Sequence, residues 1–396
     1  WSIIPIISTE TVLDAFFLFG LLQDHLERAS QLVVPDGEQA NHLHNALADR
    51  NALMTGPGQE HWNHACNLCC AVEKRDDGHM YAMRAAVMDG VTVGRPCCGV
   101  HDCKERLPSQ RAKFCTLHAT KVHECVVEGC NQPVKQGCQT CVHPEHQALE
   151  AVAKEGKSAM FQLRCRAQRH GIPLPSDALE TSLSDIGPNG EDGLDVDQDG
   201  LCEGKSQDGN IKLRAHFSRE RTHNEQLCVA TCGVILGRAT FYGSEAPNGA
   251  RLFLHYLFPT PSSLPHILFY DNACKLLKRI REAQEEAYFS RCKMPVDVFH
   301  MRTKHKDSDA FCGEHCNPIT IPGLVKDGKW RFNSSAAEMT NAWFGGFQSN
   351  VREMRPERFD FFLDEMIKQR NRMIVLDLQK RNLHPYSIPR SELLGH

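Results

Sequence analysis

Residues 98–146 constrain this chain more than any other stretch. They repeat one unit, first as Cys98-x4-Cys103-x11-Cys115-x2-His118 and again as Cys125-x4-Cys130-x10-Cys141-x4-His146. Each copy offers three thiols and one imidazole as two close pairs separated by a spacer. A tetrahedral zinc ion needs that pattern, because two short chelating turns can then be drawn together by very little structure. Cys138 and His143 stand beside the second set as alternative ligands for Cys141 and His146. Most of the 19 cysteines lie between Cys66 and Cys165. Such clustering points to metal sites in a reducing compartment rather than to a secreted disulfide scaffold.

A further pair, Cys66 and Cys69, sits in a stretch that also holds His61 and His64. It reads as half of a third zinc site, to be completed by His61, His64, His79 or Cys97. The basic residues Lys104, Arg106, Arg111, Lys113 and Lys121 lie between and after the first ligands. Spacers of that charge suit phosphate contact, and equally a solvated face of a structural module.

At 396 residues the chain has room for two or three domains. Residues 1–60 read as helical, with Leu13, Phe16, Phe17 and Leu21 on one face and Leu26 continuing it, as a packing helix over the zinc region. The apolar run from Val12 to Leu22 carries Asp14 and is too short to span a bilayer, so no membrane role is expected. Residues 61–172 form the cysteine-cluster module. Within it, residues 85–95 read as strand, turn and strand with Asp89-Gly90 at the bend, and 154–170 as a basic amphipathic helix. Residues 173–205 hold nine acids and one base, a local charge of −8 against −4 for the whole chain, leaving +4 elsewhere. That segment reads as a flexible acidic linker extending to residue 206. Its Asp195, Asp197 and Asp199-Gly200 imitate a calcium loop, but the twelfth position is Ser206 instead of glutamate.

Residues 207–396 read as α/β. Strands are expected at 210–217, twice within 227–242 around a turn near Gly237, at 267–270 and at 295–299. Helices are expected at 250–257, from 273 to about 287, from about 335 to a break at Gly345-Gly346, and from 359 to about 380. Asp271 ends the buried strand 267–270, where open sheets collect functional groups. Glu338 falls in the first turn of the helix near Ser335. Paired acids of this kind bind divalent cations for phosphoryl transfer. Each also has a plain structural alternative, Asp271 as a helix N-cap and Ser335-x-x-Glu338 as a capping box. Between them, His300, His305, Cys312 and Cys316, with His315 to spare, have the spacing of one structural zinc pinning an insertion.

The chain resembles the KDZ (Kyakuja–Dileera–Zisupton) transposases of fungal genomes, specifically the cysteine-cluster proteins associated with them. The likeness rests on Arg221 to Leu227, Cys232-Gly-Val-Ile, Ala239 to Ala246, Phe269-Tyr-Asp271-Asn-Ala-Cys274, Asp297 to His300, Lys304-His305, Phe311-Cys312, Cys316 to Pro318, Phe332 to Glu338 and Phe361 to Met366. In the front half it rests on Asp89-Gly90-Val91, Gly94-Arg95-Pro96 and the tandem units. It implies a ribonuclease-H-like α/β C-terminal domain with a zinc-stapled insertion, preceded by a small zinc-rich α+β module. It also implies an Asp-Asp-Glu site binding magnesium or manganese, with Asp271 second and Glu338 third. Asp208, at the start of the strand 210–217, is the candidate first acid, and the strand 228–236 carries none. The expected partner is DNA, with no small-molecule substrate, and the expected compartment is the nucleus. The activity is strand cleavage or transfer; the alternative is a zinc-dependent DNA- or chromatin-binding protein that no longer cuts.

Overall fold

The strand Met80–Val91 is the longest in the computed structural model, which describes residues 8–35, 41–74, 78, 80–109, 111–156, 159–173, 215–305 and 308–395. It lies in the larger of two units. That unit takes residues 1–96 and 221–396, while the smaller takes residues 97–220. The division differs from the sequence expectation, which groups 61–96 with the tandem cysteine units. Those residues belong with the C-terminal half because strand 80–91 pairs with strands from beyond residue 221.

In chain order the larger unit begins with α1 (Thr9–Glu27), α2 (His44–Met54), β1 (His64–Ala65), β2 (Cys70–Lys74) and β3 (Met80–Val91). The smaller unit supplies α3 (Pro144–Gly156) and α4 (Ala159–Arg169). The larger resumes with β4 (Asn224–Ala230), β5 (Ile235–Phe241), α5 (Pro247–Leu257), β6 (Ile267–Tyr270) and α6 (Ala273–Glu282). Then come α7 (Glu286–Phe289), α8 (Val298–Thr303), α9 (Ala310–His315), a β7–β8 hairpin (Val325–Lys326, Lys329–Trp330), α10 (Ala336–Phe344), α11 (Gln348–Val351), α12 (Pro356–Lys380), β9 (Tyr386–Ser387) and α13 (Arg390–Leu394).

β3 is long enough to take two antiparallel partners end to end on one edge. β2 pairs with its first half and β4 with its second. They meet at Ala85, whose N–H donates to the Cys69 carbonyl (2.9 Å) and whose carbonyl accepts from Thr231 (3.3 Å). β5 flanks β4, and β6 runs parallel to β3 on the opposite edge. Successive side chains of a strand point to opposite faces. Ala86, Met88, Cys228, Leu268 and Tyr270 therefore join one apolar cluster with α5 and α6. Ala85, Val87, Leu227, Val229, Ile267 and Phe269 join another with α1, α10 and α12. α12 lies close enough to α1 that a Cβ at Gly20 would stand 2.9 Å from the Phe361 ring, so glycine permits the contact. Behind it Phe17 and Phe361 pack edge to face at 5.7 Å.

Several sequence expectations change. Residues 85–91 continue one strand, because Asp89 and Gly90 are paired with Leu227 and Gln226 of β4 and form no bend. The β4–β5 turn lies at 231–234, with Gly233 at φ +98°, and Gly237 is inside β5. The run 293–296 follows β6 by hydrogen bonds from Leu268 to Lys293 and Tyr270 to Pro295, then Asp297 caps α8 and ends it. Gln284, at φ 57°, separates α6 from α7. The region read as one amphipathic helix over 154–170 is divided between two, α3 and α4, and Leu163 on α4 is 66% exposed. Leu26 is 82% exposed, so the α1 stripe ends before it and packs on α12, not on a zinc cluster. The acidic segment from 174, the strand at 210–214 and Asp208 lie outside the described residues. No described helix is long and apolar enough to cross a membrane.

Among its described residues the smaller unit has little to bury. Its apolar cluster is Cys125, Val127 and Cys141 with Cys130, Leu149 and Ala215 against them. A unit this poor in core needs a further constraint to hold one conformation.

Candidate metal centres

Zinc bonds of about 2.3 Å to sulfur and about 2.0–2.1 Å to nitrogen, at tetrahedral angles, place the ligand atoms roughly 3.3–3.8 Å apart. Both tandem units meet that measure. In the first, His118 Nδ1 stands 3.5 Å from Cys98 Sγ and 3.3 Å from Cys115 Sγ, and Cys103 and Cys115 are 3.8 Å apart. In the second, His146 Nδ1 is 3.5 Å from Cys125 and 3.2 Å from Cys141, with Cys130 and Cys141 at 3.9 Å. Each set of four gathers within the span of one ion. No described cysteine is in a disulfide. Cys138 and His143 are left outside; the Cys138 thiol points to Gln147 instead. The second loop is tied to α3 by Glu150, which accepts from the Gln139 and Thr140 amides (2.9 and 3.0 Å) and from Lys154 (2.7 Å).

The Cys66–Cys69 pair is completed by His64, one of the expected candidates, and by Cys232, which sequence reasoning left out. Cys66 and Cys69 are 3.6 Å apart, and His64 Nε2 is 3.4 Å from Cys232. The meeting of β2 and β4 on one edge of β3 brings Cys232, in the turn after β4, to the loop before β2. The Cys232 thiol, ahead of Cys69, draws the Cys66 thiol far below its ordinary value, toward the thiolate a metal would bind. The quoted motif Cys232-Gly-Val-Ile was the available signal.

The fourth set separates. His305 and Cys312 come together, with Nδ1 to Sγ at 3.1 Å, but their third member is Cys274 from the first turn of α6. Cys316, fully buried, stands beside Cys312 and Cys274 but outside the three ligand atoms that gather; burial and then those two thiols push it up. His300 is not in this set. Asp297, as the N-cap of α8, turns His300 toward the carboxylates.

Those carboxylates form an acidic site at one end of the sheet. β3 and β6 are in parallel register through Met88 and Tyr270, so Asp89 and Asp271 follow at the same level on the same face. α10 packs over that face and brings Glu338 and Asn341. Asn341 Nδ2 donates to Asp89 Oδ2 at 2.7 Å. His300 Nδ1 bonds to Asp297, lies 2.9 Å from Asp271 Oδ1 and 3.8 Å from Glu338 Oε1, and Lys304 Nζ is 3.8 Å from Asp271 Oδ2. Neither plain alternative holds. Asn272, not Asp271, is the N-cap of α6, and Ser335 makes no side-chain cap bond. Asp89 was missed because Asp-Gly has turn chemistry. The available signal was that Ala85–Met88 then Asp89 repeats the pattern of Ile267–Tyr270 then Asp271, four apolar residues followed by an acid.

Burial raises the Asp89 carboxyl to about 6, with Glu245 and Glu338 adding to it. Burial raises Asp271 to about 7, opposed by His300 and reinforced by Asp297 and Asp89. Crowded, partly desolvated acids of this kind are relieved by a cation. The donors are hard oxygens, which suit magnesium or manganese, whereas the thiol-rich sets suit zinc.

Residues 87–152 match the family model of a CxC6-like cysteine cluster associated with KDZ transposases. The chain therefore carries that cluster, and the matched stretch opens inside β3, two residues before Asp89. No curated protein and no solved structure matches the chain.

Proposed function

We propose that the larger unit is a ribonuclease-H-like nucleic-acid strand-cleaving or strand-transferring domain of transposase descent, and that the four Cys/His clusters hold structural zinc. The observation that carries this reading is the placement of Asp89, near the end of β3, level with Asp271, just past the end of its parallel neighbour β6, with Glu338 on the helix across them. The strand plan supports the same reading. An antiparallel meander β3–β4–β5 carries an acid on its first strand, and a parallel strand on the far edge ends in the second acid. Asp89, rather than Asp208, is then the first acid. The zinc-bearing unit is an insertion between β3 and β4, and its match to a transposase-associated cluster supports the ancestry.

Magnesium or manganese bound at this site would supply Lewis acidity and a more acidic water. Asp89, Asp271 and Glu338 would hold it. Asn341 orients Asp89 by donating to Oδ2, while the Gly90 amide donates to Oδ1. Lys304 brings a positive charge 3.8 Å from Asp271, and His300 Nδ1 lies 2.9 Å from the same carboxylate and helps to orient it. In the smaller unit, Lys104 and Arg111 are exposed between the ligands and offer contacts to the DNA backbone, whereas Lys113 donates to the Phe217 carbonyl and Lys121 pairs with Glu124. A chromosomal DNA partner places the protein in the nucleus.

The test is nicking of supercoiled plasmid with manganese, beside Asp271→Asn. Nicking by the wild type alone supports the reading. Retardation of DNA on a gel without nicking under any divalent cation rejects it in favour of a binding protein.

A further inference from the structure

His305 faces two ways. Its Nδ1 is 3.1 Å from Cys312 Sγ, and its Nε2 is 3.1 Å from the backbone carbonyl of Asp271. A carbonyl can only accept, so Nε2 carries the proton and Nδ1 presents its lone pair to the thiols. That is how a ligating histidine is held by an outer partner. Here the outer partner is the main chain of the acid at the centre of the site described above. Two more links run the same way. Cys274 is three residues past Asp271, and the Cys316 carbonyl accepts from Val296, next to Asp297 (2.9 Å).

We propose that Cys274, His305 and Cys312, with Cys316 beside them, hold a zinc ion that positions the acidic site, acting on Asp271 through His305. The ion fixes the imidazole, the imidazole fixes the Asp271 carbonyl, and the two cysteines fix the chain on either side of Asp271 and Asp297. The proposal rests on the reading of Asp89, Asp271 and Glu338 as divalent-cation ligands. His305 is a positioning residue and touches neither that cation nor the DNA.

The decisive variant is His305→Cys in the full chain. It keeps a zinc ligand at position 305 and removes the N–H to Asp271. Three quantities are measured: zinc per chain by native mass spectrometry, unfolding temperature, and manganese affinity from the free-ion resonance signal. We expect unchanged zinc and unfolding temperature, manganese binding weakened about tenfold, as for lost outer partners of other metal ligands, and nicking that recovers at saturating manganese. Cys312→Ser should lose one zinc and weaken manganese at least as much. If His305→Cys keeps its zinc and binds manganese within twofold of wild type, the coupling is refuted. If His305→Cys loses the ion, Cys312→Ser decides, and undiminished manganese affinity there is equally fatal. A wild-type chain that binds no manganese overturns the acidic-site reading itself, and this inference with it.

Discussion

Asp89 and Asp271 stand one step beyond Met88 and Tyr270, the last paired residues of two parallel neighbouring strands. Parallel register puts residues at one level on one face, so the two carboxylates share a space that neither strand alone would create. A like-charged pair there is unfavourable without a cation, and the proposed metal role would relieve it.

Asp89→Asn and Asp271→Asn should each reduce manganese-dependent nicking by at least about 100-fold, the scale of losing one preorganised electrostatic group. The unfolding temperature without metal should hold or rise, because a repelling charge is removed. Asp89→Asn with wild-type nicking would return the first-acid position to Asp208 and is the more informative of the two.

The pH response follows from the raised carboxyls. Asp89 and Asp271 keep protons to about 6 and about 7, where the unfolded chain gives them up near 4. Between those values the folded state holds more protons, so these groups make the metal-free protein less stable as pH rises from about 4 to about 7. Cations compete with the same protons. Manganese affinity should therefore climb steeply from pH 5.5 and level off above about 7.5, measurable by titration at fixed ionic strength. A flat profile would mean that these two acids are not the ligands.

What the sequence discloses about the sites depends on how far apart the ligands lie along the chain. Cys98 to His118 and Cys125 to His146 are read correctly because each set is local and its spacing is the whole signal. Cys232 is remote from Cys66, and only the end-to-end pairing of β2 and β4 on β3 joins them. His300 has the close spacing to His305 that a zinc pair needs, whereas Cys274 is remote from it in sequence. The cap made by Asp297 decides between them, and a cap's direction is not written in spacing. Asp89-Gly90 has the chemistry of a turn, but pairing with Leu227 and Gln226 of β4 holds it in a strand, where tertiary pairing outweighs local preference. The long helix Pro356–Lys380 and the strand Ile267–Tyr270 are legible from periodicity and an unbroken apolar run.

The clusters predict four zinc ions per chain. Cys232→Ser should release one, leaving three by native mass spectrometry, and should lower the unfolding temperature of the larger unit as much as Cys66→Ser does. Both ligands close the same junction, so the double variant should cost little more than either alone. Additive losses would show that Cys232 and Cys66 do not share an ion.

Arg238 offers a test of the fold apart from metal. It is buried on β5 and reaches Glu225 on β4 (2.7 Å) and Asp364 and Asp360 on α12 (2.8 and 3.1 Å), so it ties the sheet to that helix. Removing it leaves Glu225 fully buried with no cation, and burial already raises that carboxyl to about 7. Arg238→Ala should cost about 3–5 kcal/mol, the scale for stripping one partner from a buried ion pair. Adding Glu225→Gln should restore part of that loss, since the stranded charge goes with it. Denaturant unfolding of the single and double variants measures both. A double variant no more stable than Arg238→Ala would show that packing of the long side chain, not its charge, holds β5 to α12.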